Sequence, residues 1–499
     1  MADNIVIYVK VHQPRRLRLP AQPVPIDASM DVLEQAIFDD TLNRYYLRKV
    51  SRTCYHPMAD LLSEVLERGL HLCLGFSFSF LYQARAWDTS VLEKYRALVN
   101  HPNVELVCVE PYHSFLPYLD IVKFQERMAW ARDELGLLFG KRPNFAEVTE
   151  MFMARDIAAA LEQAGFAGAL TESREGMPGY QSPAYPYNNG KKLKLFCRHK
   201  DLSDDVGYRF SQKTWSEYPL TAPTYVESVK GTSGDVIFVG WDFETFGEHH
   251  SRETGIFDFL RWLPGELNWR GVQMLTLTEA VEKLGNSARR MDLPVNPTTW
   301  AGINGDPRFF FGSPAQFKIF QLMHHAYSVA RLTRDPRVID MALWLCQSDN
   351  LHLLGWSGDA DSSEAEVSSY FTPGYWWNLG ASRIPAELEG VYNLFIAAAS
   401  RRLREQAGTA AQDEGKTVEF KLYAPAARAV ALVGDMTGWK SNPLPLNPGG
   451  EGYWKASVQL SPGKYQYKFL VDGQWRCDPE SPVLTADGFG SANSVIQVN

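Results

Sequence analysis

Near its amino end the chain reads Ile5-Val6-Ile7-Tyr8-Val9-Lys10-Val11-His12-Gln13-Pro14, a short apolar run that stops at a histidine. Short apolar runs bounded by polar residues predict buried strands. Further runs of this kind occur before about Gly285, at His71–Phe76, Val104–Val109, Phe145–Thr149, Ala167–Thr171, Leu193–Arg198, Val236–Trp241 and Val272–Leu277. Helical patterns separate many of them, for example Val122–Leu138, Arg155–Ala164 and Thr278–Leu284. Strands that alternate with helices indicate a parallel sheet, and this number of strands favours an α/β barrel.

The rest of the chain changes its pattern twice. From Ser313 to about Glu405 the periodicity is helical, which predicts helices packed on the barrel. Residues 406–416 are small or polar and predict a linker, and the short alternating runs after it predict a small β-sandwich. The sequence therefore predicts a barrel over 1–290, a helical region over 291–405, a linker over 406–416 and a sandwich over 417–499.

Composition narrows the class of protein. The chain has 499 residues, with 50 Lys+Arg against 58 Asp+Glu and a net charge of −8, which argues against a nucleic-acid partner. Hydrophobic residues make up 45 %, enough for a large core. No apolar run approaches the roughly 18 residues needed to cross a membrane, and no leader pattern is present at the amino end. We expect a soluble cytoplasmic protein whose six scattered cysteines are reduced.

Polar residues follow the predicted strands. In a parallel barrel the catalytic groups project from the carboxyl ends of the strands, so these positions define the expected active site. They are His12-Gln13-Pro14, Ser77, Glu110 with Tyr112-His113, Glu150, Asp204-Asp205, and Asp242 with Glu244. Two histidines and several carboxylates at one rim predict acid–base chemistry on a polar substrate.

Two carboxyl groups placed across a bond are the minimum for glycoside hydrolysis, and Glu150 and Asp242 are the best-placed pair. Two other interpretations remain open on the residues alone. Each carboxylate could instead stabilise the start of the helix that follows it. His12, His113, Asp242 and His249 could also supply metal ligands, although the sequence has no compact ligand cluster. We expect neither a metal nor another cofactor.

Four stretches together resemble the α-amylase-type members of glycoside hydrolase family 57. They are Val11-His12-Gln13-Pro14-Arg15-Arg16-Leu17-Arg18, Phe38-Asp39-Asp40-Thr41-Leu42-Asn43-Arg44, Leu202-Ser203-Asp204-Asp205 and Asp242-Phe243-Glu244-Thr245-Phe246-Gly247-Glu248-His249. Their order and spacing agree over about the first 285 residues. The resemblance implies a (β/α)7 barrel followed by helices, a retaining mechanism on α-glucans and no catalytic metal.

The resemblance also implies roles for single residues. Thr149-Glu150 matches the pair that carries the nucleophile, and Asp242 matches the general acid/base. Substrate-binding roles are implied for His12, Glu110, His113, Glu244, His249 and Asp349. Whether Glu244 and Glu248 orient Asp242 or only line the rim stays open. The chain departs from the family pattern at Met151-Phe152-Met153, in the shorter stretch Glu110–Ser114, and in Ser348-Asp349-Asn350-Leu351-His352, which keeps only the Ser-Asp of the fifth motif.

From about Lys416 to Asn499 the chain resembles the glycogen-binding domain of carbohydrate-binding module family 48, known from the β subunit of AMP-activated kinase. The match is carried by Gly438-Trp439, Tyr467-Lys468-Phe469, Asp472-Gly473-Gln474-Trp475 and Asn493. The resemblance implies an immunoglobulin-like β-sandwich in which Trp439 and Trp475 stack on glucose rings while Lys468 and Asn493 bind hydroxyls. Phe489 and Ser491 stand where the family has Leu and Thr.

Both segments point to the same polymer. The sequence predicts a retaining glycoside hydrolase that cleaves α-1,4 bonds of glycogen, starch or maltodextrins and carries its own glycogen-binding module. A 4-α-glucanotransferase, a branching enzyme, and a glycogen-binding or regulatory protein with a weak barrel remain as alternatives. Neither a nucleic acid nor a membrane is expected as a partner, and the oligomeric state stays open.

Overall fold

The computed structural model describes residues 2–25, 28–172, 175–302, 304–355, 383–412, 416–439, 443–487 and 491–498. The chain divides into two compact units, Met1–Ser400 and Arg401–Asn499. Among the described residues, no helix is both long and apolar enough to cross a membrane.

Seven parallel strands of the first unit form a closed ring. They are β1 (Asn4–Val11), β2 (Leu72–Phe76), β3 (Val104–Val109), β4 (Phe145–Glu147), β5 (Gly168–Glu172), β6 (Lys194–Arg198) and β7 (Ile237–Asp242). Each strand pairs in parallel with the next along the chain, and β7 pairs in parallel with β1. The register between β7 and β1 runs from Ile5↔Ile237 to Lys10↔Asp242. This ring confirms the predicted (β/α)7 barrel.

The barrel strands are apolar because both of their faces are covered. Side chains alternate between the two faces of a strand. In β1, Val6 and Tyr8 belong to a small hydrophobic cluster, whereas Ile5, Ile7 and Val9 belong to the large cluster that includes the surrounding helices. A buried polar side chain in such a strand therefore needs a partner inside the protein.

Helices connect the barrel strands on the outside. In chain order they are Met30–Ile37, Asp40–Val50, His56–Leu66, Phe78–Trp87, Thr89–Asn100, Leu116–Leu119, Ile121–Phe139, Arg155–Gln163, Lys200–Gly207, Ala222–Gly231, Ile256–Trp269 and Leu277–Leu284. Three short strands border the barrel: Pro186–Asn188 is antiparallel to β6, Arg289–Arg290 pairs with that short strand, and Gln273–Leu275 pairs with the start of β1.

Further helices follow the barrel, at Arg308–Phe311, Pro314–Thr333, Pro336–Leu345, Asp349–Gly355 and Arg383–Gln412. The last one differs from the sequence prediction, because residues 406–412 are helical where a linker was expected. Small size and polarity do not prevent a helix: Ala and Gln are good helix formers, and the stretch contains no proline. The boundary between the two units also falls within this helix.

The second unit is built from antiparallel strands. Its longer strands are Lys416–Tyr423, Val430–Gly434, Tyr453–Leu460, Gly463–Val471 and Ala492–Val498, and its shorter ones are Leu444–Pro445, Asn447–Pro448, Gln474–Arg476 and Val483–Ala486. They form a three-stranded and a six-stranded sheet. Phe420 of the first sheet and Phe469 of the second belong to one hydrophobic cluster, so the two sheets share a core. The predicted β-sandwich is confirmed.

A π-helical turn, Ser51–Tyr55, positions the loop that follows β7. Cys54 Sγ donates a hydrogen bond to the carbonyl of Phe243 at 3.3 Å. Gly247 has φ +115°, and a Cβ built on it would lie 2.1 Å from the carbonyl oxygen of Thr53. Only glycine allows this close approach, so the loop is fixed against the turn.

We predict that Gly247→Ala destabilises the protein more than Gly255→Ala does. Both glycines have positive φ, but a Cβ on Gly255 meets nothing within 4 Å. The change at Gly255 should cost about 1 kcal/mol of unfolding free energy through backbone strain alone. The change at Gly247 should cost about 2 kcal/mol or more, because the loop must also move. Urea unfolding of the two variants measures the difference, and equal losses would contradict the close packing.

Candidate active site

Polar side chains converge at the carboxyl ends of the barrel strands. The barrel supplies Lys10, His12, Ser77, His113, Glu147, Glu150 and Asp242, and the segments after it supply Thr299, Trp300, Ser348 and Asp349. Hydrogen bonds, ion pairs and ring contacts join these residues into one site.

Glu150 follows β4 on a strained backbone. It has φ +54°, and Met151 after it has φ +50°, a region that non-glycine residues seldom adopt. The Trp300 indole donates to Glu150 Oε2 at 2.8 Å, and the Ser348 hydroxyl donates to Oε1 at 3.1 Å. The Thr299 hydroxyl holds the backbone carbonyl of Glu150 at 2.6 Å. The carboxylate is thus fixed in direction while 15 % of the side chain stays exposed.

Asp242 ends β7, directly beside Lys10 of β1 in the strand register. The Lys10 ammonium lies 3.4 Å from Asp242 Oδ1 and 3.4 Å from Glu147 Oε1. It also lies 4.2 Å from the centre of the Trp300 ring. Asp242 is 24 % exposed, whereas Lys10 and Glu147 are buried. Lys10 therefore contacts both carboxylates and the indole ring.

Charge balance keeps Lys10 protonated. Burial alone would lower the pKa of the Lys10 ammonium, but the negative charges of Glu147, Asp242 and Glu150 outweigh burial and raise this pKa. Burial raises the pKa of Glu147, while Lys10 and a hydrogen bond from the Tyr8 hydroxyl act in the opposite direction. The site thus contains one permanent buried cation among three carboxyl groups.

Two histidines stack beside these carboxylates. The rings of His12 and His113 lie 3.9 Å apart at 20°. His12 Nδ1 contacts the Ser77 hydroxyl at 2.8 Å, and His12 Nε2 lies 3.3 Å from Asp349 Oδ2. Burial, with the nearby His12 and Lys10, holds the pKa of His113 well below its usual value. His113 is therefore neutral and serves as a hydrogen-bonding group, with Nδ1 at 2.9 Å from the Ser348 hydroxyl.

Asp349 completes this cluster from the helical region. Burial by itself would raise the pKa of Asp349, but His12, together with His352 and a backbone hydrogen bond, outweighs burial and lowers this pKa. His12, His113 and Asp349 have ligand atoms within 4.8 Å of one another, the one such group among the described residues. The stacked rings do not fit a metal ion, because an ion about 2 Å from both nitrogens would lie out of both ring planes. The four possible metal ligands considered from the sequence were His12, His113, Asp242 and His249. Asp242 and His249 do not belong to this group of ligand atoms.

Two of the predicted substrate-binding carboxylates lie inside the protein. Glu110 is fully buried and accepts hydrogen bonds from the Ser114 amide at 2.6 Å and the Thr149 hydroxyl at 3.3 Å. Glu244 is buried and accepts a hydrogen bond of 2.5 Å from the Tyr55 hydroxyl. Burial raises the pKa of each carboxyl group to about 8. These contacts favour a supporting role for both residues over direct contact with a substrate.

Polar residues of the loop after Asp242 bind it to the segment around the π-helical turn. Glu248 accepts hydrogen bonds from Lys49 and, at 2.9 Å, from the Thr53 hydroxyl. Glu244 and Glu248 thus both bind the segment that contains the π-helical turn. The Nε2 atom of His249 is buried and has no hydrogen-bond partner among the described residues. His249 is therefore the predicted residue of this loop that still has a polar atom to offer.

The fifth motif keeps its first two residues in the site. Ser348 and Asp349 face Glu150 and His12, as described above, whereas Asn350 donates to the carbonyl of Leu345 at 3.0 Å and contacts the Tyr392 hydroxyl at 3.1 Å. Sequence reasoning missed Lys10, Trp300, Thr299 and the direct contact of Ser348 with Glu150. A charged residue inside an apolar strand was a usable signal for Lys10, but no local pattern marks Trp300.

In the second unit, a chain of hydrogen bonds connects several predicted glycogen-binding residues. The Trp439 indole donates to Asp435 at 2.9 Å, and Asp435 accepts from the Gln466 amide at 2.7 Å. The Gln466 side chain accepts from Asn493 at 3.0 Å. Trp475 is 42 % exposed. Trp475 therefore presents a ring to solvent, while Trp439 is fixed by its indole nitrogen.

Lys468 differs from the expected free hydrogen-bond donor. It is buried, and its ammonium binds Asp487 at 2.6 Å and the Ser491 hydroxyl at 3.2 Å. The Ser491 amide donates to Asp487 at 2.9 Å. Lys468 and Ser491 thus both bind Asp487. Phe489 lies outside the described residues.

A closed barrel of seven parallel strands, with two partly exposed carboxyl groups at its carboxyl rim, has the construction of a glycoside hydrolase. Residues 6–294 match the profile of glycosyl hydrolase family 57, and residues 417–499 match the glycogen recognition site of AMP-activated protein kinase. The chain belongs to glycosyl hydrolase family 57.

Each part of the chain is similar to known proteins. A protein of Methanocaldococcus jannaschii described as "Putative alpha-amylase" is 30 % identical over 378 residues, covering 74 % of this chain and 80 % of that protein. The β-1 subunit of 5'-AMP-activated protein kinase from Sus scrofa is 41 % identical over 71 residues, 14 % of this chain and 55 % of that sequence. The crystal structure of a branching enzyme from Thermococcus kodakaraensis covers 79 % of this chain and 95 % of its own at a TM-score of 0.54 and 16 % identity, which supports the fold.

We predict that Lys10→Met lowers the free energy of unfolding by about 3 kcal/mol or more, because Glu147 loses its buried partner. The paired variant Lys10→Met/Glu147→Gln should regain most of that stability, since it buries no unpaired charge. Both variants should have a kcat at least about tenfold below that of the native protein, because Asp242 lacks its cation in each. Urea unfolding and steady-state kinetics separate the two effects. Native kcat in the paired variant would limit Lys10 to a structural role.

The buried carboxyl group of Glu110 makes the free energy of unfolding depend on pH. Because the pKa of Glu110 is about 8 in the folded protein against 4.5 as the reference value, folding keeps a proton that the unfolded chain releases between these pH values. Stability should therefore fall as pH rises through this window, by up to about 1.4 kcal/mol per pH unit for this group. Glu110→Gln should flatten the decline, whereas Glu93→Gln, at an exposed helical position, should not. Identical slopes in all three proteins would contradict the buried state of Glu110.

Proposed function

We propose that the protein is a retaining, α-amylase-type hydrolase that cleaves α-1,4-glucosidic bonds of glycogen- and starch-type glucans. The observation that carries this proposal is the pair Glu150 and Asp242, two partly exposed carboxyl groups at one barrel rim that share the neighbouring Lys10 cation. Membership of the family and the relative described as an alpha-amylase support it.

Glu150 is suited to the nucleophilic step. Its hydrogen bonds from Trp300 and Ser348 fix the plane of the carboxylate before the substrate arrives. One carboxylate oxygen attacks the anomeric carbon, the bond from that carbon to the leaving oxygen breaks, and Asp242 gives its proton to that oxygen. The product is a glycosyl ester of Glu150 and a shortened glucan with a free hydroxyl.

Asp242 then acts as a base in the second step. It takes a proton from water, the water oxygen attacks the anomeric carbon, and the ester bond to Glu150 breaks. This step regenerates an ionised Glu150 and a protonated Asp242. Two successive displacements retain the configuration of the anomeric carbon. Throughout both steps Lys10 offers a fixed positive charge whose field favours charge on the leaving carboxylate.

The histidine pair is suited to holding the sugar. Because His113 is neutral, its ring can exchange hydrogen bonds with a hydroxyl without bringing a charge to the site. His12 is oriented by Ser77, and Asp349 accepts hydrogen bonds beside it. Neutral hydroxyl groups are recognised by such fixed donors and acceptors. We assign His12, His113, Asp349 and His249 to substrate binding.

The second unit supplies a separate binding site for the polymer. Its match to the glycogen recognition site and the exposed ring of Trp475 support glycogen binding through stacking on glucose rings. Trp439 and Asn493 belong to the same proposed surface, since the hydrogen bonds through Asp435 and Gln466 connect them. Binding of glycogen there keeps chain ends at a high local concentration.

A 4-α-glucanotransferase is the second candidate, in which a sugar hydroxyl replaces water in the second step. It is favoured by a cleft of about 570 Å³ that runs from Trp300 past Tyr180 and His199. Aromatic faces with polar neighbours are suited to a glucan acceptor. The two candidates share every residue of the first step and differ only in the group that attacks the glycosyl ester.

The product lengths distinguish the candidates. We predict that the native protein converts purified maltoheptaose to shorter products only, and that Glu150→Gln lowers the rate at least about a thousandfold while glycogen binding persists. Trp439→Ala/Trp475→Ala should show the opposite pattern, with turnover of maltoheptaose kept and sedimentation with glycogen lost. Products longer than maltoheptaose would establish transfer. Native-like turnover by Glu150→Gln would contradict the assigned nucleophile.

A further inference from the structure

A basic groove lies on the outside of the first unit, along the helix Asp40–Val50 and the π-helical turn after it. We call it the arginine groove, and its defining residues are Arg44, Arg48 and Arg52 with the rings of Tyr45 and Trp87. The groove has a volume of about 670 Å³. None of these residues takes part in the proposed reaction.

The three arginines point to an anion. They are spaced four residues apart, which places them along one helical face. Each is exposed, and none forms an ion pair within the part of the chain that the structure describes. Three unpaired guanidinium groups together are notable in a chain with a net charge of −8. A free guanidinium is the group that best forms paired hydrogen bonds to a phosphate.

One carboxylate also lines the groove, but it is already engaged. Asp88 accepts a hydrogen bond from the Ser90 hydroxyl at 2.7 Å and lies 3.2 Å from His56 Nε2. It also caps the helix Thr89–Asn100 by accepting from the amide of Val91. Asp88 therefore offsets little of the positive charge of the arginines.

The aromatic residues of the groove indicate that the anion is attached to a ring. Tyr45 is 61 % exposed, and the Arg44 guanidinium lies 5.8 Å from the centre of the Trp87 ring. Aromatic faces next to cations bind flat or sugar rings by stacking while the cations hold a charged substituent. An inorganic anion alone would leave these rings unused.

We propose that the arginine groove binds a phosphate monoester carried on a ring, either a sugar phosphate or a nucleoside monophosphate. The phosphate lies among Arg44, Arg48 and Arg52, and the ring stacks on Tyr45 or Trp87. This proposal does not depend on the proposed hydrolase activity.

The same segment contacts the loop after Asp242 from its other side. Lys49 and Thr53 hold Glu248, and Tyr55 holds Glu244. Lys49 and Thr53 are direct sequence neighbours of Arg48 and Arg52, so the arginine groove and the contacts to this loop belong to one segment of the chain.

Titration calorimetry on the full chain tests the proposal. The probes are glucose 6-phosphate, uridine monophosphate and inorganic phosphate, and the variant is Arg44→Gln/Arg48→Gln/Arg52→Gln. A matched control, Lys191→Gln/Lys192→Gln/Lys213→Gln, removes three exposed charges that form no ion pair in the described part of the chain and do not line the groove. We expect saturable binding of one ester, weaker binding of inorganic phosphate, and at least tenfold weaker binding of the ester by the arginine variant. The lysine control should bind as the native protein does.

The two esters show whether the natural ligand is a sugar phosphate or a nucleoside monophosphate. Preference for glucose 6-phosphate assigns a sugar phosphate, and preference for uridine monophosphate assigns a nucleotide. The proposal is overturned if neither ester binds at millimolar concentration, if inorganic phosphate binds as tightly as both esters, or if the lysine control weakens binding as much as the arginine variant. Thermal unfolding of the unliganded variants confirms that each one is folded.

Discussion

The buried ammonium of Lys10 is the interaction on which the rest of the site depends. Placing a charge inside a barrel costs several kcal/mol unless carboxylates surround it. Lys10 meets Asp242 only because β7 closes the barrel against β1 in one register, and it meets Glu147 only because β4 lies across from both. A shift of one residue in either strand would leave the cation unpaired. Barrel closure and the assembly of the carboxyl pair are therefore a single structural requirement.

Support for the site comes from carboxylates that bind neighbouring segments of the protein. Glu110 binds the turn that carries His113, and Glu244 and Glu248 bind the loop after Asp242 to the π-helical turn. Burial holds Glu110 and Glu244 near a pKa of about 8. Rigid neighbours of this kind allow Glu150 to keep its strained backbone, because strain persists only where surrounding contacts determine the conformation.

The sequence predicted the features that depend on local patterns, which are the strands and the residues at their carboxyl ends. Each apolar run became a strand within one or two residues, and the carboxyl ends of these strands brought His12, Glu150 and Asp242 to one rim. It could not predict contacts set by distant packing, such as the indole of Trp300 on Glu150. Nor could it show that the carboxylates of Glu110 and Glu244 turn inward, because burial depends on the loops above them. Residues 406–412 of the predicted linker are helical because they include three alanines and two glutamines, which are good helix formers, and no proline.

The central claim is that Glu150 forms a covalent bond to the substrate. It is tested most directly by incubating the protein with a fluorinated α-glucosyl fluoride that slows breakdown of the glycosyl ester, followed by mass spectrometry of the digested protein. The account predicts one added sugar on the peptide that contains Glu150, and none in Glu150→Gln. Attachment to another carboxyl group, or release of product with inverted anomeric configuration and no attachment, would contradict it.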